Sequence, residues 1–372
     1  MNKLITLFKN LQYLILIFLV LLVMVRPAIS ADIHLPLLGD ESSSNVSPQK
    51  EFELGRAWLK AYRSRVNENN DPLLRDYLEK LTNKLASKSR LEDRRIELIV
   101  INNPTLNAFA VPGGIIGVHA GLFLFAKTED ELASVIAHEI AHLSQRHFAR
   151  RLNQQKKNRV VSMAGLLASL VLAATAGSDA GLAGLSATQT MGMTTALGYS
   201  RQNEREADRL GLQTMIASGM NPSAMSSMFE GMLKQTRYTR SKIPEYLRTH
   251  PPTQDRVVDA KNRINQLKAK NYSDNFEFHL IRARAVIAIN KDPNLSLDHF
   301  KNQFSDTEKN KNAAIYGMAL SYMAMRDYTK TDKLINELIK NHQMNFFIKW
   351  LRLRIIVIRK NILLQSKKPC HF

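Results

Sequence analysis

Apolar residues recur at helical spacing through most of this chain, and one stretch departs from that rhythm for long enough to predict strands. Phe52, Leu54, Trp58, Leu59 and Tyr62 predict a helix over about 49–64. Asp71-Pro72, a cap followed by proline at the first helical position, opens a second over about 72–88. The β-branched run from Ile96 to Ile101 then predicts a strand, and Asn107 to Gly114 followed by Ile115 to His119 predicts two short strands around a Pro-Gly-Gly turn. Thr128 and Glu131 form a capping box, and the helix they open is expected to run to about Gln155. Further helices are expected over about 201–218, ending at Gly219, and over about 222–236, opened by Asn221-Pro222. A polar loop containing Thr249-His250-Pro251-Pro252-Thr253 leads into a helix over about 254–268. After a linker near 271–275 the pattern is helical pairs to about residue 343. The expected class is α+β, mainly helical with a small sheet, followed by an all-α region.

Three segments break the pattern. Lys3 and Lys9 precede an uncharged apolar run from Tyr13 to Val25, and Ala28-Ile29-Ser30 then supplies small residues at the spacing of a signal-peptidase site. Residues 1–30 are therefore expected to be a secretory signal; the competing reading is an uncleaved anchor, although the run is short for a membrane span. Residues 160–200 carry a single charge, Asp179, among six glycines. They read either as a buried helical hairpin or as a segment lying against a bilayer. Residues 349–372 are apolar and basic without one acid, either a truncated or frameshifted end or a basic amphipathic tail.

The formal net charge of +19 changes meaning once it is divided along the chain. Ten of the excess cations lie in the two termini just described, which leaves a moderate excess on a long body and no nucleic-acid module to go with it. The excess is compatible with an anionic membrane surface or an acidic partner, and no nucleic-acid partner is expected. One cysteine, Cys370, excludes an intramolecular disulfide and any cysteine-built metal site, so a metal here must be held by histidine and carboxylate.

That donor set exists. His138-Glu139-Ile140-Ala141-His142 falls inside the capped helix, where a four-residue spacing sets the two imidazoles about 40° apart on one face with a rise of about 6 Å. Both can hold one zinc ion, and Glu139 projects near enough to act on a bound water. Composition alone gives a chance H-E-x-x-H about 0.01 times in such a chain. A catalytic zinc needs a third protein donor, and Glu204-Arg205-Glu206-Ala207-Asp208 puts Glu204 and Asp208 on one helix face with Glu206 pointing away. Glu204 is the expected third ligand, and Asp208 is placed to fix the tautomer of a ligand histidine. His147, opposite His138 on a straight helix, reads as a surface or core residue.

Four motifs together carry a resemblance: Asn107-Ala108-Phe109-Ala110-Val111-Pro112-Gly113-Gly114, the motif at 138–142, Glu204 to Asp208, and His250-Pro251-Pro252 through Arg256. Over about residues 45–345 the chain resembles the HtpX-type metallopeptidases, and within them the periplasmic BepA-type branch. The resemblance implies a gluzincin domain over 31–270, with zinc on His138, His142 and Glu204 and with Glu139 as general base. It further implies a tetratricopeptide-like region over 271–348, a periplasmic location, unfolded or stalled outer-membrane proteins as substrates, and a contact with the barrel assembly machinery through the helical tail. The strand from Asn107 to Ala110 is expected to align an extended substrate. His250 keeps three readings: a fourth ligand that leaves the enzyme latent, a transition-state donor, or a surface turn residue. Arg256 would anchor that loop or touch substrate. The function class that competes with a peptidase is a periplasmic chaperone or assembly scaffold with a latent or structural zinc site.

Overall fold

A computed structural model describes residues 47–151, 200–238, 243–303, 308–341 and 345–366. The expected leader, nearly all of the charge-poor segment and the last six residues lie outside them. Helix α1 (Pro48–Arg63) and α2 (Pro72–Lys88) come first, and the Asp71 carboxylate accepts the backbone N–H groups of Leu73 and Leu74 as cap of the second. Such a cap is worth about 1 kcal/mol. Three strands follow: β1 (Glu97–Ile101), β2 (Ala108–Val111) and β3 (Ile115–His119). They form one sheet in the order β1-β3-β2, with β1 parallel and β2 antiparallel to β3. Gly113 and Gly114, at φ +82° and +77°, make the turn that returns β2 into β3, a conformation side chains with a Cβ rarely adopt.

Both faces of the sheet are covered, which is why its strands read as continuous apolar runs. Ile99, Ile101, Val111 and Ile115 pack on Trp58, Leu59 and Tyr62 of α1. Leu98, Val100, Ile116 and Val118 face the main core with Leu74, Leu78, Leu81 and Leu85 of α2. Across that core lies α4 (Glu129–Ser144), reached through the short α3 (Gly121–Phe125), which the sequence pattern did not anticipate.

The helix α4 ends eleven residues before its expected end. Arg146 adopts a left-handed φ of +47°, and the chain re-enters helical structure at His147. This conformation costs an ordinary residue about 1 kcal/mol. It is held by an ion pair between Arg146 Nε and Glu51 Oε2 at 3.0 Å, ninety-five positions away in sequence.

Helices α5 (Arg201–Ala217), α6 (Ser223–Tyr238) and α8 (Gln254–Ile264) occupy the expected places, α8 stopping short of Lys268. The stretch expected as loop before α8 contains a short helix, α7 (Glu245–Thr249), with His250 at its C-cap. Beyond residue 270 come α9 (Phe276–Ile289), α10 (Pro293–Asn302), α11 (Glu308–Ala324), α12 (Tyr328–Asn341) and α13 (Phe346–Ser366). The apolar core runs unbroken from α2 and α4 through Phe278, Tyr316, Leu338 and Leu351. Phe123 stacks on Phe278 at 6.3 Å, and Arg284 Nε donates to Asp71 Oδ2 at 2.7 Å. Among the described residues no helix is long and apolar enough to cross a membrane.

Candidate metal centre

Helix α4 is apolar nearly all round, as a helix buried between a sheet and other helices must be, and its polar members therefore meet one another inside the protein. His138, Glu139 and His142 are each at most 2% exposed. Helix α5 packs directly across α4. At Gly211 the approach is tight, since a Cβ there would sit 3.2 Å from the backbone nitrogen of His138. This contact brings the buried Glu204 and Asp208 beside the two histidines. From a third direction α7 delivers His250, also buried, beneath the ring of Tyr246 at 4.8 Å.

Four potential ligand atoms converge. His138 Nε2 lies 3.0 Å from His142 Nε2 and 3.3 Å from His250 Nδ1, while Glu204 Oε1 is 3.4 Å from His142 Nε2 and 3.0 Å from His250 Nδ1. One ligand atom from each of the four residues falls within 4.8 Å of all the others. Donors about 2.0–2.1 Å from a tetrahedral zinc stand about 3.3 Å apart, so the spacing fits that ion. The chemistry fits as well. Two imidazole nitrogens facing each other at 3.0 Å can share at most one proton, and a buried array of lone pairs from three rings and a carboxylate is the donor set zinc takes.

The surrounding groups orient these donors. Asp208 Oδ1 lies 3.0 Å from the far nitrogen of His138, and the Asp208 carboxylate is gripped by Arg256 through Nε and Nη2, both at 2.7 Å. Arg256 Nη1 reaches Glu204 Oε2 at 2.9 Å and the Pro251 carbonyl at 3.0 Å, so one side chain ties the His250 loop to α5. Burial opposes the charge on Asp208, yet Arg256 holds its carboxyl below the usual range. Burial likewise opposes a charge on His138, but Glu204 and Asp208 push its ring up to about 9; burial drives the His142 ring well below its ordinary value. Glu139 is raised, chiefly by burial. Neither of its oxygens closes a hydrogen bond of good geometry: His250 Nε2 is 3.6 Å from Oε1, and the amide of Ala110 on β2 is its other polar neighbour.

His138, Glu139, His142, Glu204, Asp208, His250 and Arg256 thus lie in one buried cluster beside the edge strand β2. Of the two readings of His147, surface or core, the structure has the core one, and adds a contact with His142 that the sequence did not suggest. His147 is fully buried, with Nδ1 2.7 Å from Nδ1 of His142 and Nε2 3.2 Å from Glu206 Oε2, which Arg150 meets at 2.9 Å. Helical periodicity hid this because it assumed that α4 continued; the turn at Arg146 redirects the next residue. The signal that would have found it is the acid Glu206, whose face on α5 had no assigned partner.

Residues 72–264 match the family described as Peptidase family M48, and the chain belongs to that family of zinc metallopeptidases. Among its curated relatives are the beta-barrel assembly-enhancing proteases of Escherichia coli O157:H7, 36% identical over 311 residues, and of Yersinia pestis, 32% identical over 314. These alignments cover 83% and 84% of this chain but 63% and 64% of the relatives, so the chain spans just under two thirds of their length. The mitochondrial metalloendopeptidase OMA1 of Schizosaccharomyces pombe is 30% identical over 216 residues, covering 56% of this chain and 60% of that protein.

Proposed function

We propose that the chain is a zinc endopeptidase of the bacterial periplasm that cleaves unfolded or stalled outer-membrane proteins. The observation that carries this reading is the buried convergence of His138, His142, Glu204 and His250 around one point, with the buried carboxylate of Glu139 beside it. His138, His142 and Glu204 are the ligands in this reading. Bound there, zinc supplies Lewis-acid polarisation of the scissile carbonyl and acidifies water. Glu139, kept basic by burial, takes the proton of the attacking water and passes it to the leaving amine. Asp208 fixes the ring of His138 so that Nε2 faces the other donors that would hold the metal, and Arg256 holds Asp208 in place. The open edge of β2 pairs with an extended substrate, which favours polypeptides with exposed strands over any one side chain.

The substrate class and location rest on the names of the bacterial relatives together with the secretory pattern of residues 1–30. In the same reading 31–270 form the peptidase domain and 271–348 a tetratricopeptide-like pair of helical hairpins that meets the barrel assembly machinery. The basic tail, 349–372, would add a peripheral contact with anionic lipid. A second reading, a periplasmic chaperone or scaffold with a latent zinc site, is favoured by His250, whose Nδ1 stands among the other donors. Zinc coordination in the resting protein separates the two: three protein ligands and a water support a working site, four protein ligands a closed one. The decisive variant is Glu139→Gln. It should retain about one zinc per chain and lose cleavage of an unfolded substrate by at least about a hundredfold; full cleavage by this variant would remove Glu139 as the base.

A further inference from the structure

Behind each of the two ligand histidines the structure builds a different support. Behind His138 stands a carboxylate, Asp208, held by an arginine. Behind His142 stands a second imidazole, His147, whose other nitrogen meets the carboxylate of Glu206, itself held by Arg150. The protons along this chain can be assigned from chemistry. The ionised Glu206 carboxylate only accepts, so Nε2 of His147 carries the proton and donates it; Nδ1 of His147 is then an acceptor. It faces Nδ1 of His142 at 2.7 Å, so His142 must donate from Nδ1, and the lone pair of its Nε2 is left facing the other ligand atoms. We infer that His147 is a positioning residue for the metal centre, selecting the tautomer and ring orientation of His142 through the relay Arg150–Glu206–His147–His142.

The backbone is shaped for this contact. On a straight continuation of α4, His147 would lie about 140° around the helix from His142 and five residues on, out of reach. The left-handed turn at Arg146 brings the next residue back beneath the histidine, and the pair between Arg146 and Glu51 holds that turn. Helix α5 supplies both ends of the arrangement: Glu204 and Asp208 on one face, and Glu206 on the other, where the re-entrant segment packs.

This inference rests on the ligand reading above, and its test separates the two. Zinc affinity of the full chain is measured by competition with a chromogenic chelator, alongside thermal melting of the metal-free protein. His147→Phe, which keeps a ring but removes the acceptor, should fold with a modestly lower metal-free melting temperature and bind zinc about 10–100-fold more weakly. His147→Asn, whose side-chain oxygen can stand where Nδ1 stood, should recover most of that loss. Wild-type affinity in the phenylalanine variant would overturn the inference while leaving the ligand set intact, as would an asparagine variant no better than phenylalanine. Failure of the wild-type chain to hold zinc would overturn the ligand reading itself. Should the phenylalanine variant not fold, Glu206→Leu carries the same test: a several-fold loss of zinc affinity supports the relay, and wild-type affinity refutes it.

Discussion

Two clusters of buried charge hold this molecule together, and they are built from the same parts to opposite effect. Where the helical tail meets the peptidase core, Arg284 donates to Asp71 at 2.7 Å and to the Tyr316 hydroxyl at 2.8 Å, with its guanidinium 4.9 Å from the centre of the Trp350 ring. Asp71 in turn caps α2. At the candidate metal centre, Arg256 likewise pairs with buried acids, but four potential ligand atoms face one another and the Glu139 carboxylate has only His250 at 3.6 Å and the Ala110 amide beside it. A cluster whose groups answer one another needs nothing more and acts as a fastening. A cluster whose lone pairs converge on one point, three rings and a carboxylate, is the donor set a metal ion takes, and is arranged for chemistry.

The largest test of this distinction is at Arg256. Changing Arg256→Met leaves two buried carboxylates, Asp208 and Glu204, with only the His138, His142 and His250 rings to answer them, and should destabilise the metal-free protein by about 3 kcal/mol. Zinc would compensate Glu204 directly, so saturating zinc should return part of the loss, raising the melting temperature of the variant more than that of wild type. An identical loss with and without zinc would make the two clusters equivalent.

A smaller effect is expected at the other cluster. Arg284→Met leaves one acid, Asp71, which keeps the two backbone N–H groups at the start of α2 and some access to water. A loss of about 2–3 kcal/mol follows. Its magnitude should be the same with zinc and without, measured by denaturant unfolding. Dependence on zinc would mean that the tail junction and the site are coupled, which the closed hydrogen bonding at Arg284 argues against.

Local signals in the sequence carried far where they were chemical and short-range. Asp71-Pro72 set the start of α2, Gly219 the end of α5, and the spacing of Glu204 and Asp208 put both on the face that meets His138. What escaped depended on partners distant in the chain. The break after Ser144 has no glycine or proline to announce it and is stabilised by Glu51. The short α7 offered too few residues for periodicity, yet it is what points His250 inward. His147 was lost with the break, since its direction depends on one backbone angle at Arg146.

The smallest effect sharpens the comparison through pH. Glu245, on the helix that carries His250, is pushed up to about 7 by burial, with Arg248 pulling weakly the other way. In the unfolded chain this acid titrates near 4.3. Between those values the folded protein holds a proton that the unfolded chain has released, so rising pH favours unfolding throughout that interval. Above about 7 both states are ionised and the penalty is constant; below about 4 both are protonated and it vanishes. Glu245→Gln imitates the protonated form at every pH. Melts of metal-free protein should therefore show the variant about 1–2 kcal/mol more stable than wild type at pH 8, once exposure to water is allowed for, and indistinguishable from it near pH 4. A gain of the same size at both pH values would reflect packing. No gain at pH 8 would mean that Glu245 is fully compensated, in the manner of Asp71.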